Sequence, residues 1–215
     1  MSYPDSKDLV IVDYGAGNIR SVQKAFEAVG VNAPVSERAS DVREAGVVVL
    51  PGVGAFGDMM SALRTRGLLE PIKEAAAEGK PLLGICVGLQ VLFEVGEEMG
   101  RHEGLGILPG RVRRFDIRGK VPHIGWNQIV PCSGHPVLDS IEAGDYAYFV
   151  HSYYPEPADP ALVLATSDYE VEFAAVCGRD NVVGIQFHPE KSQEVGLRIL
   201  RNFACWSGAL VEEMA

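Results

Sequence analysis

The segment that most restricts how this chain can fold is Gly84-Ile85-Cys86-Val87-Gly88, directly after the apolar run Pro81-Leu82-Leu83. A residue flanked by glycines two positions to either side, at the end of an apolar run, describes a sharp strand-to-helix turn. A Cβ at either flanking position would collide with neighbouring backbone. Such a turn needs a strand whose carboxyl end opens onto a helix, the repeating unit of a parallel α/β sheet. It lifts Cys86 out of the sheet. The unpaired N–H groups and positive dipole end at a helix start then favour the thiolate, the form that attacks a carbonyl at neutral pH. Taken alone, the segment is equally well a small buried cysteine between glycines, since free cysteine is among the most buried residue types.

A second segment weighs against that bland reading. Val182-Val183-Gly184-Ile185-Gln186-Phe187-His188-Pro189-Glu190 reads as a buried strand running into a polar terminus, with Pro189 ending the ladder and keeping His188 extended. Residues two apart in extended chain face the same side. Glu190 can therefore accept from one imidazole nitrogen of His188 while the other nitrogen meets the thiol of Cys86. Separately, His188 is an ordinary strand-end histidine and Glu190 a solvated carboxylate at a helix start. Those readings do not explain why the two occur at this spacing in a chain that also carries an elbow cysteine.

The remaining pattern places both segments in one architecture. Leu9–Val12 is an apolar strand closed by Asp13 and Gly15, followed by helical spacing from Asn18 through Val22, Ala25, Phe26 and Val29 to Gly30. Val47–Leu50 is a β-branched run closed by Pro51-Gly52, and a helix is expected from about Asp58 to Ala77 with Gly67 as a break point. The elbow strand runs from Pro81 to Ile85 and its helix from Val87 to Glu94. Continuous apolar strands alternating with helices specify a parallel sheet covered on both faces. From about residue 104 the pattern turns to glycine, proline and alternation, as in Val121–Trp126 and Tyr146–Val150, which indicates antiparallel strands. Helical spacing returns after Glu190, with Val195, Ile199, Phe203 and Trp206 in one stripe before Gly208. The expectation is an α/β fold of flavodoxin-like, doubly wound form: a mostly parallel sheet with helices on both faces and an antiparallel extension in the second half, forming a single domain over residues 1–215. That length is too short for a second catalytic domain of barrel size.

The motifs carry a resemblance. Gly84-Ile85-Cys86-Val87-Gly88-Leu89-Gln90 together with Phe187-His188-Pro189-Glu190 resembles the triad-type, class I glutamine amidotransferases, which hydrolyse glutamine and pass ammonia to a synthase. Three more segments resemble one branch of that family, the glutaminase subunits of imidazole glycerol phosphate synthase. They are Ile11-Val12-Asp13-Tyr14-Gly15-Ala16-Gly17-Asn18, Leu50-Pro51-Gly52-Val53-Gly54-Ala55-Phe56 and Pro122-His123-Ile124-Gly125-Trp126-Asn127. The likeness runs from about residue 9 to about residue 207.

That resemblance implies a glutaminase whose catalytic residues are Cys86, His188 and Glu190, with no cofactor and no metal. Attack on an amide develops an oxyanion that needs two preorganised donors. The elbow supplies the N–H of Val87. The Gly52-Val53-Gly54 loop, at the carboxyl end of a parallel strand where open α/β sheets build sites, supplies the other in the family. As a sequence feature alone, the same loop is a tight strand-to-helix turn. Gln90 lies one helical turn beyond Cys86 on the same face. The resemblance makes Gly54, Gln90, Glu98, His151, Ser152 and Tyr153 the holders of glutamine; without it, Gln90 reads as a helix-surface residue and Tyr153 as a partly buried aromatic. Asn18, Trp126 and Lys191 lie in segments that flank the partner-facing side in the family, and the implied heterodimer partner is a cyclase subunit, a HisF-like barrel. Isolated subunits of the family are nearly inactive, which implies that the Gly52–Val53 amide turns away from Cys86 in the free chain. His102, His123 and His135 carry no partner pattern and receive no role.

Other classes fit less well. The net charge of −10 argues against a nucleic-acid partner, and the one short basic cluster, Arg111-Val112-Arg113-Arg114, reads as a solvated strand face or a partner contact. Cys86, Cys132, Cys177 and Cys205 are widely spaced without a C-x-x-C pair, so neither a zinc knuckle nor a disulfide framework is indicated and a reducing compartment fits. Met1–Ser6 lacks a basic region followed by an apolar core, and no apolar run reaches the ~20 residues of a membrane span. A soluble, cytoplasmic protein is expected. Rival readings are the glutaminases of pyridoxal phosphate synthase or anthranilate synthase, and a binding module that has lost its triad. Gly15-Ala16-Gly17 also hints at a dinucleotide-binding protein, but Arg20 stands where that fingerprint requires glycine.

Overall fold

The computed structural model describes residues 7–211, so the leader reading of Met1–Ser6 lies outside the described residues. The first half alternates strand and helix: β1 (Leu9–Val12), α1 (Ile19–Ala28), β2 (Val35–Ser36), α2 (Ala39–Glu44), β3 (Val47–Gly52), α3 (Phe56–Thr65), α4 (Leu69–Ala77), β4 (Leu82–Cys86) and α5 (Val87–Gln90). The second half is mainly strand: β5 (Phe93–Gly96), β6 (His102–Glu103), β7 (Leu108–Arg114), β8 (His123–Pro131), β9 (Asp145–His151), β10 (Tyr153–Pro157), β11 (Val163–Asp168), β12 (Glu172–Arg179) and β13 (Val182–Ile185). It closes with α6 (Gln193–Ser207).

Nine strands form one sheet in the order β2-β1-β3-β4-β13-β12-β11-β8-β9. Its first five are parallel and the remaining pairings antiparallel. Every residue of β1, β3, β4 and β13 is buried, as strands covered on both faces must be. Helices flank both sides, α1 packing on α6 and α2 on α4. Strand order reverses at β1, which sits between β2 and β3, and the carboxyl ends of the parallel strands beside that reversal form the crevice where α/β sheets bind ligands. A second sheet, β10-β7-β5-β6, packs beside the first.

Three local expectations are corrected. The helix behind the elbow lasts one turn instead of reaching Glu94. Leu92 O accepts from the N–H groups of Ile107 and Leu108, and the following Phe93-Glu94-Val95-Gly96 is drawn into a strand against β7. The break expected at Gly67 within residues 58–77 is present: α3 and α4 part there, at a φ of +67° that favours glycine. The second half contains one parallel pairing, β5 with β7. Residues 189–191 form a 3-10 turn and not extended chain: Pro189 starts it, and the His188 N–H leaves the ladder to donate to Tyr148 O at 2.9 Å. The basic cluster resolves into cross-strand ion pairs on β7, Arg111 with Glu156 and Glu97, and Arg113 with Glu156.

Candidate active site

The elbow exists because two backbones approach closely. Gly52 on β3 stands in register with Cys86 on β4, and α5 starts immediately above them. A Cβ on Gly88 would lie 1.9 Å from Leu50 O, and one on Gly84 would lie 2.6 Å from Gly88 O, so both positions require glycine. Cys86 occupies the turn at φ +55°, a conformation costly for a side-chain-bearing residue and one that clusters at functional sites.

His188 lies just past the carboxyl end of β13, the strand paired with β4. Its Nδ1 is 2.8 Å from Glu190 Oε1, and the Cys86 side chain is near enough to interact with the imidazole. Burial works against a charge on His188. The hydrogen bonds and charges of Cys86 and Glu190 outweigh it and push the imidazole up to about 9. Ser192 fixes the ring's backbone, donating to His188 O at 2.7 Å and accepting from Tyr148 N at 2.9 Å. The Glu190 carboxylate is itself held by Asn18, whose Nδ2 donates to Oε1 at 3.3 Å. Asn18, expected only at the partner-facing side, thus touches the triad.

Sulfur, imidazole and carboxylate can act as nucleophile, acid–base and orienter for acyl transfer. Among the described residues no group of three acidic, histidine or cysteine side chains could hold a metal ion.

Around this centre the other expected residues divide. Val87 follows Cys86 at the start of α5. The Val53 N–H instead donates to the hydroxyl of Tyr14, 3.1 Å away, and the same hydroxyl reaches Val53 O at 3.4 Å. Tyr14 is buried, which raises its ionisation above the usual phenol range and keeps the hydroxyl neutral. Gly54 adopts φ +88° beyond that loop, with no atom near where a Cβ would project. Gln90 is buried, not a helix-surface residue, and its Nε2 donates to Tyr153 O at 2.9 Å and to Gln186 Oε1 at 3.1 Å. Glu98 accepts from the Phe56 N–H at 2.8 Å and so caps the first turn of α3 after the Gly52-Val53-Gly54 loop. Ser152 O accepts from Phe115 N. His151 is buried against His123. Trp126 is exposed and meets Tyr148 edge-on, and Lys191 Nζ lies 5.8 Å from the Tyr148 ring centre.

Sequence reasoning missed Tyr14, Gln186 and His123. The same every-second-residue spacing that paired His188 with Glu190 also pointed back to Gln186, whose Nε2 lies 3.9 Å from the Cys86 sulfur. No comparable signal marks Tyr14 or His123, because their partners lie 39 and 28 residues away.

Comparisons with known proteins identify the family and the fold. The profile of the family described as "Glutamine amidotransferase class-I" matches residues 10–205. The chain is 53% identical over 202 residues to the imidazole glycerol phosphate synthase subunit HisH of Syntrophotalea carbinolica, covering 91% of this chain and 98% of that protein. The proteins of the same name from Salinibacter ruber and Aquifex aeolicus are each 50% identical, over 90% of this chain and 92% and 94% of theirs. Among solved structures, a glutamine amidotransferase crystal structure aligns with a TM-score of 0.74 at 19% identity, covering 93% of this chain and 98% of that one. PurLQS from Thermotoga maritima aligns at 0.73 and 20%, covering 94% and 99%. At those identities the two structures speak for the fold alone.

Proposed function

The chain belongs to the class I glutamine amidotransferase family, and on that footing we propose that it is the glutaminase subunit of an imidazole glycerol phosphate synthase. It hydrolyses glutamine to glutamate and ammonia, and the ammonia feeds a cyclase subunit that makes imidazole glycerol phosphate and AICAR in histidine biosynthesis. The observation that carries this reading is the single imidazole of His188, paired with Glu190 at 2.8 Å and interacting with Cys86, at the carboxyl ends of adjacent parallel strands.

In the cycle, the Cys86 sulfur attacks the side-chain amide carbon of glutamine. Negative charge gathers on the amide oxygen, toward the N–H groups of Val87 and, once it is released from Tyr14, of Val53 in the Gly52–Gly54 loop. The C–N bond breaks as His188 gives its proton to the departing nitrogen, leaving a thioester. His188 then takes a proton from water, whose oxygen attacks the thioester carbon and releases glutamate. Glu190 keeps the imidazole in one orientation throughout, and Asn18 steadies Glu190. Gln90, Glu98 and the His151-Ser152-Tyr153 segment line the amino-acid pocket.

Free ammonia is protonated in water, so it must leave by a covered route. The outer face of β8 and β9 suits a partner there, with Ile124 60% exposed, Trp126 45%, Val130 44% and Tyr146 52%, a density of exposed apolar groups typical of protein contacts. The partner of this reading is a barrel-shaped, HisF-like cyclase, docked over Trp126 and Lys191, in the cytoplasm. Among the described residues no helix is long and apolar enough to cross a membrane.

Measuring glutamate release with and without such a cyclase tests this reading. Activity that rises on mixing supports it. Equal release in both conditions removes the partner, and none in either removes the activity.

A further inference from the structure

Two imidazoles lie in the apolar interior beside the active site and take no part in the bond-making and proton-transfer steps above. His123 and His151 are 3% and 6% exposed. Their rings pack among Phe115, Phe149, Phe173 and Tyr169, and His123 stacks on Tyr169 at 4.1 Å between ring centres. Apolar side chains would fill such a space without buried polar groups to satisfy, so a row of them calls for a reason.

The bonds along this row run in one direction. Gln128 N donates to Asn127 Oδ1 at 2.8 Å, which fixes the Asn127 carboxamide. Its Nδ2 then donates to Asp168 O at 2.7 Å and to His123 Nε2 at 3.2 Å. His123 Nε2 is therefore an acceptor, and its proton sits on Nδ1, which donates to His151 Nε2 at 3.1 Å. By the same logic His151 carries its proton on Nδ1 and donates to Tyr153 O at 2.9 Å. That carbonyl also accepts from Gln90 Nε2, so the Gln90 carboxamide cannot be reversed without facing oxygen to oxygen. Gln90 Nε2 donates to Gln186 Oε1, which leaves Gln186 Nε2 turned to the Cys86 sulfur at 3.9 Å.

We propose that His123 and His151 are positioning residues: their common tautomer, set by Asn127, lets His151 donate to and hold the Tyr153 carbonyl, and that carbonyl orients the Gln90 and Gln186 carboxamides so that an N–H of Gln186 points at the Cys86 sulfur. The inner face of β8 carries His123 and Asn127 while its outer face carries Trp126, so one strand joins the proposed docking face to the nucleophile. Both imidazoles stay neutral, pushed down by burial to about 4 for His123 and about 3 for His151, which preserves the one-proton chain at working pH. The proposal rests on Cys86 being the nucleophile.

The test is the rate at which iodoacetamide alkylates Cys86 in the full chain, read by peptide mass spectrometry. It does not depend on glutamine turnover, so a failure of the glutaminase reading would show separately, as absent glutamate release by the unaltered protein. Gln186→Met and His151→Phe break the row at its Cys86 end and at its middle with little change in volume. Each is expected to slow Cys86 alkylation at neutral pH about tenfold, the loss of one hydrogen bond to a charged group. Exposed Cys132, off the chain, should react unchanged. Wild-type Cys86 rates in both variants overturn the proposal. Should the variants not fold, imidazole nitrogen-15 shifts of the wild-type chain decide it: two neutral Nδ1–H rings support the chain, and an Nε2–H ring or one titrating near 6.5 overturns it.

Discussion

The hydroxyl of Tyr14 stands 3.1 Å from the amide nitrogen of Val53 and accepts its N–H. Val53 follows the residue in register with Cys86, so the donor best placed to meet an oxyanion is already engaged. Removing that acceptor releases it. Tyr14→Phe is expected to raise glutamate release by the isolated chain, about threefold to tenfold for a bond of ~1 kcal/mol. Unchanged or lower release would show that Tyr14 does not restrain the loop.

The elbow is closed by contact with a rigid carbonyl. Because a Cβ on Gly88 would sit 1.9 Å from Leu50 O, Gly88→Ala forces β3 and α5 apart. Overpacking of this kind costs typically ~1–3 kcal/mol, and the displaced Cys86 loses its line to His188. Urea unfolding should show a lower midpoint at similar slope, together with loss of glutamate release. A variant with wild-type midpoint and activity would mean that the close approach is not required.

Glu190 acts through His188, and Asn18 through Glu190. Glu190→Gln keeps the shape but removes the charge and offers an N–H where an acceptor is needed. Loss of glutamate release by a factor of about 10² to 10⁴ is expected, as for the orienting carboxylate of other triads. Asn18→Ala removes one supporting bond and should cost about tenfold. If Asn18→Ala proved more damaging than Glu190→Gln, the order of dependence would be wrong.

Histidines give the stability two opposed pH limbs. His123 and His151 are pushed down to about 4 and about 3, from a usual 6.5. Below pH 6.5 the unfolded chain takes up protons that the folded chain refuses. Stability therefore falls with acid until about pH 4, by up to ~1.4 kcal/mol per pH unit for each imidazole. His188, pushed up to about 9, has the opposite sign: its contribution is fully present below 6.5 and is lost as pH rises through 9. Urea midpoints across pH 4–10 should peak between the limbs, and His151→Phe should flatten the acid one. An acid limb of wild-type steepness in that variant would contradict a neutral buried pair.

The parallel half of the fold is legible because burial on both faces leaves continuous apolar runs, and β1, β3, β4 and β13 are such runs. The meeting of Cys86 with His188 and Glu190 is legible because glycine and proline mark the turns that carry them. What local pattern cannot show is competition from distant partners. Residues 93–96 are drawn into a strand by contacts with residues 102–112, and the Val53 amide is taken by a tyrosine on another strand end. Asn18 and His123 acquire partners 172 and 28 residues away, and neither spacing nor periodicity registers such pairs.

Acid-quenching the protein during glutamine turnover, with cyclase present, and weighing the peptide that carries Cys86 tests the chemistry at its source. A γ-glutamyl thioester on that peptide, absent from Cys86→Ala together with all glutamate release, is the expected result. Glutamate release at the wild-type rate by Cys86→Ala would contradict it.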